Sequence, residues 1–208
     1  LRDHRDLGTR YLGENLSLSA SRELGLYGLG AIAGLAVVGA YRAGELVLGP
    51  LNVVLIGSSM VAVPEAARLL NQRSTWHLHR YCMIVGGALF VACASWGVVA
   101  LFIPDRIGTM VLGESWAPAA ALIIPMCLAS MLSGVWVGAQ AGLRALQAAR
   151  RGLRAEMLSS ASRLGGLLAG AALSGAAGAA WGNALGNALA VAIWWYHFQR
   201  GLQEHADT

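Results

Sequence analysis

The position with the most chemistry in its surroundings is Arg163. It stands directly before residues 164–199, which contain no Asp, Glu, Lys or Arg. A guanidinium in an apolar setting suits an anion, because its planar fork donates two parallel hydrogen bonds to a phosphate or carboxylate. A carboxylate or backbone partner, or a side chain snorkelling toward water, would explain the same residue. Asn183 and Asn187 are four apart and share one helical face. Hydrogen bonds across helices and contact with a sugar both suit them, and Gln140 is read the same way. Near the start, a helix beginning at Tyr11 would put Glu14, Asn15, Ser19 and Arg22 on one face, with Glu23 beside them. Such a face would line water rather than lipid. Neutralising groups on neighbouring helices is the alternative for Arg22 and Glu23.

Nothing else in the chain reads as catalysis. No convincing Ser-His-Asp set, phosphate-cradling glycine loop or HExxH occurs. His77 and His79 lie beside Arg73 and Arg80 with no further ligand to complete a metal set. That segment reads as a basic loop against anionic headgroups. Cys82, Cys93 and Cys127 show no paired spacing and read as small buried hydrophobes. The expectation is therefore a non-enzyme with no cofactor, no metal and no nucleic-acid partner. A nucleotide-driven engine has no sequence support, so an ion gradient, a partner or the substrate gradient would have to supply energy.

The elements that position these residues follow from the distribution of charge. Of the 208 residues, 56% are hydrophobic and 12% charged, about half the charged fraction of a soluble domain. Residues 24–41, 46–64, 81–104, 115–143 and 164–199 are free of Asp, Glu, Lys and Arg. A helix crosses a hydrocarbon core of about 30 Å with roughly 20 apolar residues. The pattern predicts an all-α integral membrane bundle of six transmembrane helices, spanning about 11–36, 39–64, 81–104, 116–140, 153–174 and 178–198. Pro104 and Pro118 punctuate the third and fourth spans. The segment Ser174 to Gly178 is the turn-like break in the last run.

Six crossings put Arg2, Arg5, Arg10, Arg68, Arg73, Arg80, Arg144, Arg150, Arg151, Arg154 and Arg200 on one side. Arg42 and Arg106 remain on the other, near Glu45, Asp105 and Glu114. The asymmetry predicts a multi-pass protein with both termini in the cytoplasm. Trp76, Trp116, Trp181, Trp194 and Trp195 fall near predicted ends, as interfacial aromatics do, whereas Trp96 and Trp136 sit inside spans. The chain has 27 glycines. Gly166 and Gly170, Ser174 and Gly178, and Gly182 and Gly186 are spaced four apart. These ridges predict a tight hairpin of the fifth and sixth helices. Pro50 and Pro125 are expected to kink their spans.

Three segments carry a resemblance. Val38-Gly39-Ala40-Tyr41-Arg42-Ala43, with Leu48-Gly49-Pro50-Leu51-Asn52 and Val63-Pro64-Glu65-Ala66-Ala67-Arg68, resembles the seventh-to-eighth helix region of polysaccharide flippases. These belong to the multidrug/oligosaccharidyl-lipid/polysaccharide exporter superfamily. Residues Val111 to Ala119 (VLGESWAPA) and Leu143 to Arg150 (LRALQAAR) resemble that family's approach to the tenth helix and the loop after it. The family commonly has an Asp-Arg pair where this chain has Gly25 and Leu26.

The resemblance implies one lobe of a two-lobe exporter fold in the bacterial cytoplasmic membrane, read here as a piece of a longer protein whose amino-terminal lobe is missing. It implies alternating access around a cationic cavity that carries an undecaprenyl-diphosphate-linked glycan outward. Arg163 and Arg22 would attract the diphosphate, with Glu23, Asn15, Asn183 and Asn187 as polar cavity residues. Partners would be the lipid-linked glycan, membrane lipids, the missing lobe, and glycosyltransferases or a polymerase. The alternatives are a drug/cation antiporter of the same superfamily, with Glu23 as the acidic site, and a non-transporting scaffold for glycan-synthesis enzymes. A membrane-embedded glycan transferase would have only Asp105 and Glu114 to work with.

Overall fold

The computed structural model describes residues 23–72 and 74–206, and their regular structure is entirely helical. In order they form α1 (Glu23–Ala33), α2 (Leu35–Val47), α3 (Gly49–Gln72), α4 (Thr75–Leu101), α5 (Asp105–Leu112), a 3-10 turn (Gly113–Ser115), α6 (Trp116–Ala120), α7 (Ile123–Ala145) and α8 (Ala149–Ala206). Four of these, α3, α4, α7 and α8, are long and apolar enough to cross a membrane.

Two reversals shape the bundle. Between α1 and α2, Gly34 takes φ 87°, a value that suits glycine because no Cβ meets the backbone. The chain folds back there. A Cβ at Gly30 would lie 3.4 Å from Val38, although eight residues of straight helix span about 12 Å. The second reversal divides α8 into a first arm (149–173) and a second arm (176–206). Ser174 and Gly175 leave helical geometry, with Gly175 at φ 59°. The arms then pack backbone to backbone. Methyl groups at Gly166 and Gly170 would collide with the carbonyl oxygens of Gly182 and Gly178, and Ser162 Oγ donates to the Gly186 carbonyl at 3.1 Å. This is the hairpin that the four-residue glycine spacing anticipates. In hydrocarbon, where apolar side chains gain little by leaving lipid, such close approach supplies the contact.

α7 is the central helix, packed against α3, α4 and α8. Its glycines set the spacing. Gly138 lies against the carbonyl of Cys82 and Gly134 against Leu89, while Gly86 of α4 lies 3.0 Å, by a Cβ placed on it, from the Val135 carbonyl. Cys82, Cys93 and Cys127 are all buried.

Several boundaries differ from the sequence reading. α3 runs through Pro64 to Gln72, because the flanking helices hold it beyond the apolar run. α4 starts at Thr75, so Trp76 to Arg80 is helical rather than a loop. The fourth span is broken before Ile123, and Pro50 and Pro125 stand in the first turns of α3 and α7, where a missing N–H costs little. At the bend between α2 and α3, Trp96 Nε1 donates to the Val47 carbonyl at 3.1 Å, satisfying an acceptor that the bend leaves open. Trp116 is buried, with its indole N–H 2.9 Å from Asp105 Oδ1.

The arginines gather at one end. Arg68 stands near the end of α3, Arg80 near the start of α4, Arg144 at the end of α7, and Arg150, Arg151 and Arg154 in the first turns of α8. Arg200 returns to them, because Arg151 pairs with Glu204 and Gly201 packs against Leu143. Gly34, α5 and the turn at Gly175 occupy the opposite end.

Candidate functional site

Arg163, Asn183 and Asn187 share one cavity. It has a volume of about 240 Å³ and is also lined by Gly25, Leu26, Tyr41, Glu45, Ser133, Trp136, Leu164 and Leu167. The α8 hairpin positions the first three, because the close backbone approach of its arms brings Arg163 beside Gly186. Asn183 Nδ2 donates to the Tyr41 hydroxyl at 3.1 Å. Asn187 Nδ2 donates to the Asn183 carbonyl at 3.0 Å, and Ser133 Oγ donates to Asn187 Oδ1 at 3.1 Å. The two amides thus tie α2, α7 and the second arm of α8 together across the cavity wall.

Arg163 has a carboxylate partner. Its Nη2 lies 2.6 Å from Glu156 Oε1, and Ser160 Oγ donates to the same oxygen at 2.6 Å. Glu156 is fully buried and the Arg163 side chain 13% exposed. The guanidinium carbon stands 5.4 Å from the centroid of the Trp136 ring, which stacks on Trp194 at 5.7 Å. Trp194 is itself fully buried, so it belongs to the packing rather than to an interfacial belt. Glu156, Ser160 and Arg163 are spaced i, i+4 and i+7, a same-face pattern readable in advance. The cluster of arginines just before Glu156 masks it in a hydropathy reading.

Glu23 does not line the cavity. Its Oε2 lies 4.0 Å from Arg42 Nη2, and Arg42 Nη1 lies 3.6 Å from Glu45 Oε2. Arg42 and Glu45 sit on α2, and Glu45 reaches the cavity wall. Asn15 and Arg22 lie outside the described residues.

Depth gives these charges their meaning. The 27-residue α4 is about 40 Å long, and its middle residue, Ala88, adjoins the Leu89–Gly134 contact. Arg163 is two residues past the middle of its arm, a shift of about 3 Å. Glu45 shares the cavity with it, and Arg42 is less than a turn away. All fall within the hydrocarbon half-thickness of about 15 Å if the helices span a bilayer. Yet the Arg42 and Glu23 side chains are 48% and 53% exposed. Among the described residues no group of His, Cys, Asp and Glu could hold a metal ion.

Comparison with family models, with curated proteins and with solved structures gives no match for this chain. The site combines a closed ion pair, an amide and hydroxyl ladder, and a carboxylate beside a half-exposed guanidinium, all around an open cavity. Such a set can hold a polar group by hydrogen bonds.

Proposed function

We propose that this chain is the carboxy-terminal lobe of an exporter that flips an undecaprenyl-diphosphate-linked polysaccharide precursor across the bacterial cytoplasmic membrane. The observation that carries the reading is the half-exposed pair Glu23 and Arg42 on α1 and α2, two helices that also supply Gly25, Leu26, Tyr41 and Glu45 to the wall of the Arg163 cavity. Charges at hydrocarbon depth face a water-filled cavity or another protein body rather than lipid. A cleft lined on this side by α1 and α2, and completed by an amino-terminal lobe, meets that need. A scaffold that docks enzymes at the membrane surface does not.

The two reversals, at Gly34 and at Ser174–Gly175, support six crossings, because each returns the chain through the bundle. The arginine-rich end then lies in the cytoplasm together with both termini. Arg163, with Arg22, is the basic group available to the diphosphate, and to bind it Arg163 must share or leave Glu156. Asn183 and Asn187 line the same cavity as polar residues, and a glycan hydroxyl would share their amides with Tyr41 and Ser133. Glycosyltransferases or a polymerase are the partners expected at the membrane faces.

A second reading, the drug/cation antiporter, is favoured by one observation. Glu23, Glu45 and Glu156 outnumber Arg42 and Arg163 around the cleft, leaving the described ionisable groups acidic in sum. Vesicles carrying the full-length protein separate the two readings. Translocation of a lipid-diphosphate sugar that is lost both in Arg163→Ala and in the paired change Arg163→Met with Glu156→Leu, which leaves no stranded charge, supports the flippase. Cation-driven efflux of a drug without lipid translocation overturns it in favour of the antiporter. Unchanged flipping in Arg163→Ala removes that residue from the site and keeps the transport reading.

A further inference from the structure

The two ends of α8 meet at the arginine-rich end of the bundle and form a second polar feature, independent of the cavity. Arg151 Nε donates to Glu204 Oε2 at 2.9 Å, and a second guanidinium nitrogen donates to the other carboxylate oxygen. This bidentate clamp ties the first turn of one arm to the last turns of the other. Beside it runs an open groove of about 340 Å³ between Arg151, Tyr196, Arg200, Gln203 and Glu204. Arg154, one turn beyond Arg151, is exposed. Along the groove itself two guanidiniums stand against one carboxylate.

Exposed aromatics stand beside the groove and at the same end of the bundle. Tyr196 is 55% exposed, and Trp76 at the same end of the bundle is 59% exposed. Each carries an arginine over its ring: Arg200 at 5.8 Å from the Tyr196 centroid and Arg80 at 5.5 Å from the Trp76 centroid. Exposed aromatics mark a membrane interface. Arg200 stands four residues, about 6 Å, beyond Tyr196 toward the arginine-rich end, the offset that separates an interfacial aromatic from a headgroup phosphate. We propose that the groove between Arg151, Arg200 and Tyr196 binds the phosphate of an anionic membrane phospholipid.

The chemistry is specific to that ligand. The phosphate accepts hydrogen bonds from the Arg200 fork and the Gln203 amide, while the glycerol end lies on the Tyr196 ring. A zwitterionic lipid brings its own cation into a basic groove and gains less. Arg151 is already held by Glu204, so it supplies charge and fixes the wall, and Arg200 is the recognising residue.

Native mass spectrometry of the full chain in mixed phosphatidylglycerol and phosphatidylcholine tests this. Phosphatidylglycerol should be retained preferentially. Arg200→Gln should weaken retention about fivefold, the factor for about 1 kcal/mol per basic residue at an anionic surface. Arg68→Gln removes the same charge at the same end but from a side chain bonded to Glu65 on α3, and it should leave retention unchanged. Equal weakening by Arg68→Gln, or none by Arg200→Gln, overturns the site. Displacement of the lipid by millimolar inorganic phosphate overturns the lipid assignment, whereas polyprenyl diphosphate outcompeting phosphatidylglycerol would assign the groove to the transported lipid instead.

Discussion

Glu156 and Arg163 form an ion pair on a single helix face, 2.6 Å apart, with the carboxylate wholly buried and the guanidinium at the cavity wall. Removing one partner strands the other in a medium that solvates it poorly. Arg163→Ala is expected to cost about 3–5 kcal/mol of stability, and the paired change Arg163→Met with Glu156→Leu much less. Thermal unfolding in detergent measures both. A paired variant as damaged as the single one would show that the two side chains do not act as a unit.

The α8 hairpin depends on missing side chains. Gly170→Ala drives a methyl group into the Gly178 carbonyl, whereas Gly165→Ala meets no atom within 4 Å. The first is expected to destabilise by about 1–3 kcal/mol. The second should be neutral, or stabilising by up to about 1 kcal/mol through helix propensity. The order of the two melting temperatures decides the matter.

Gly34 has open space around it but a φ of 87°. Gly34→Ala therefore tests backbone strain alone, and a loss of about 1–3 kcal/mol is expected. Gly39→Ala, also in open space but inside α2, serves as the reference. Equal effects at the two positions would mean that the chain does not reverse at Gly34.

Much of this architecture is readable from the residues. Glycines four apart announce the hairpin because only they permit the observed backbone contact, and Ser174 to Gly178 announces where it turns. The arginine clusters announce a single basic end. The site was only half legible. Arg163 and the two asparagines stand out because their neighbours are apolar. Glu45 and Arg42 do not, because hydropathy averages along the chain and reads two charges as a loop even when a neighbouring helix and a cavity accommodate them. Glu156 is hidden for a similar reason: its partner lies seven residues away on the same face, while its sequence neighbours are exposed arginines. Trp194 shows the converse error, since a residue near a predicted end can still face the core.

Trp96 joins α4 to the bend between α2 and α3 through one hydrogen bond to the Val47 carbonyl. Trp96→Phe keeps most of the ring and removes the donor. The expected loss is about 1–3 kcal/mol, the cost of an unsatisfied acceptor. Denaturant or thermal unfolding of the variant checks it, and an unchanged midpoint would mean that the carbonyl finds another partner.

In a bilayer, water rather than lipid is expected to reach the cavity beside Arg163. Gly25 lines that cavity, and a side chain there meets only ordinary contacts with Leu164 and Leu167 at 3.5–3.6 Å. The native cysteines are buried, so a thiol introduced as Gly25→Cys can be followed in intact membranes. A small water-soluble thiol reagent should label Gly25→Cys readily and leave Val91→Cys, on the exposed face of α4, unlabelled. Equal resistance at both positions would mean that water does not enter the cavity.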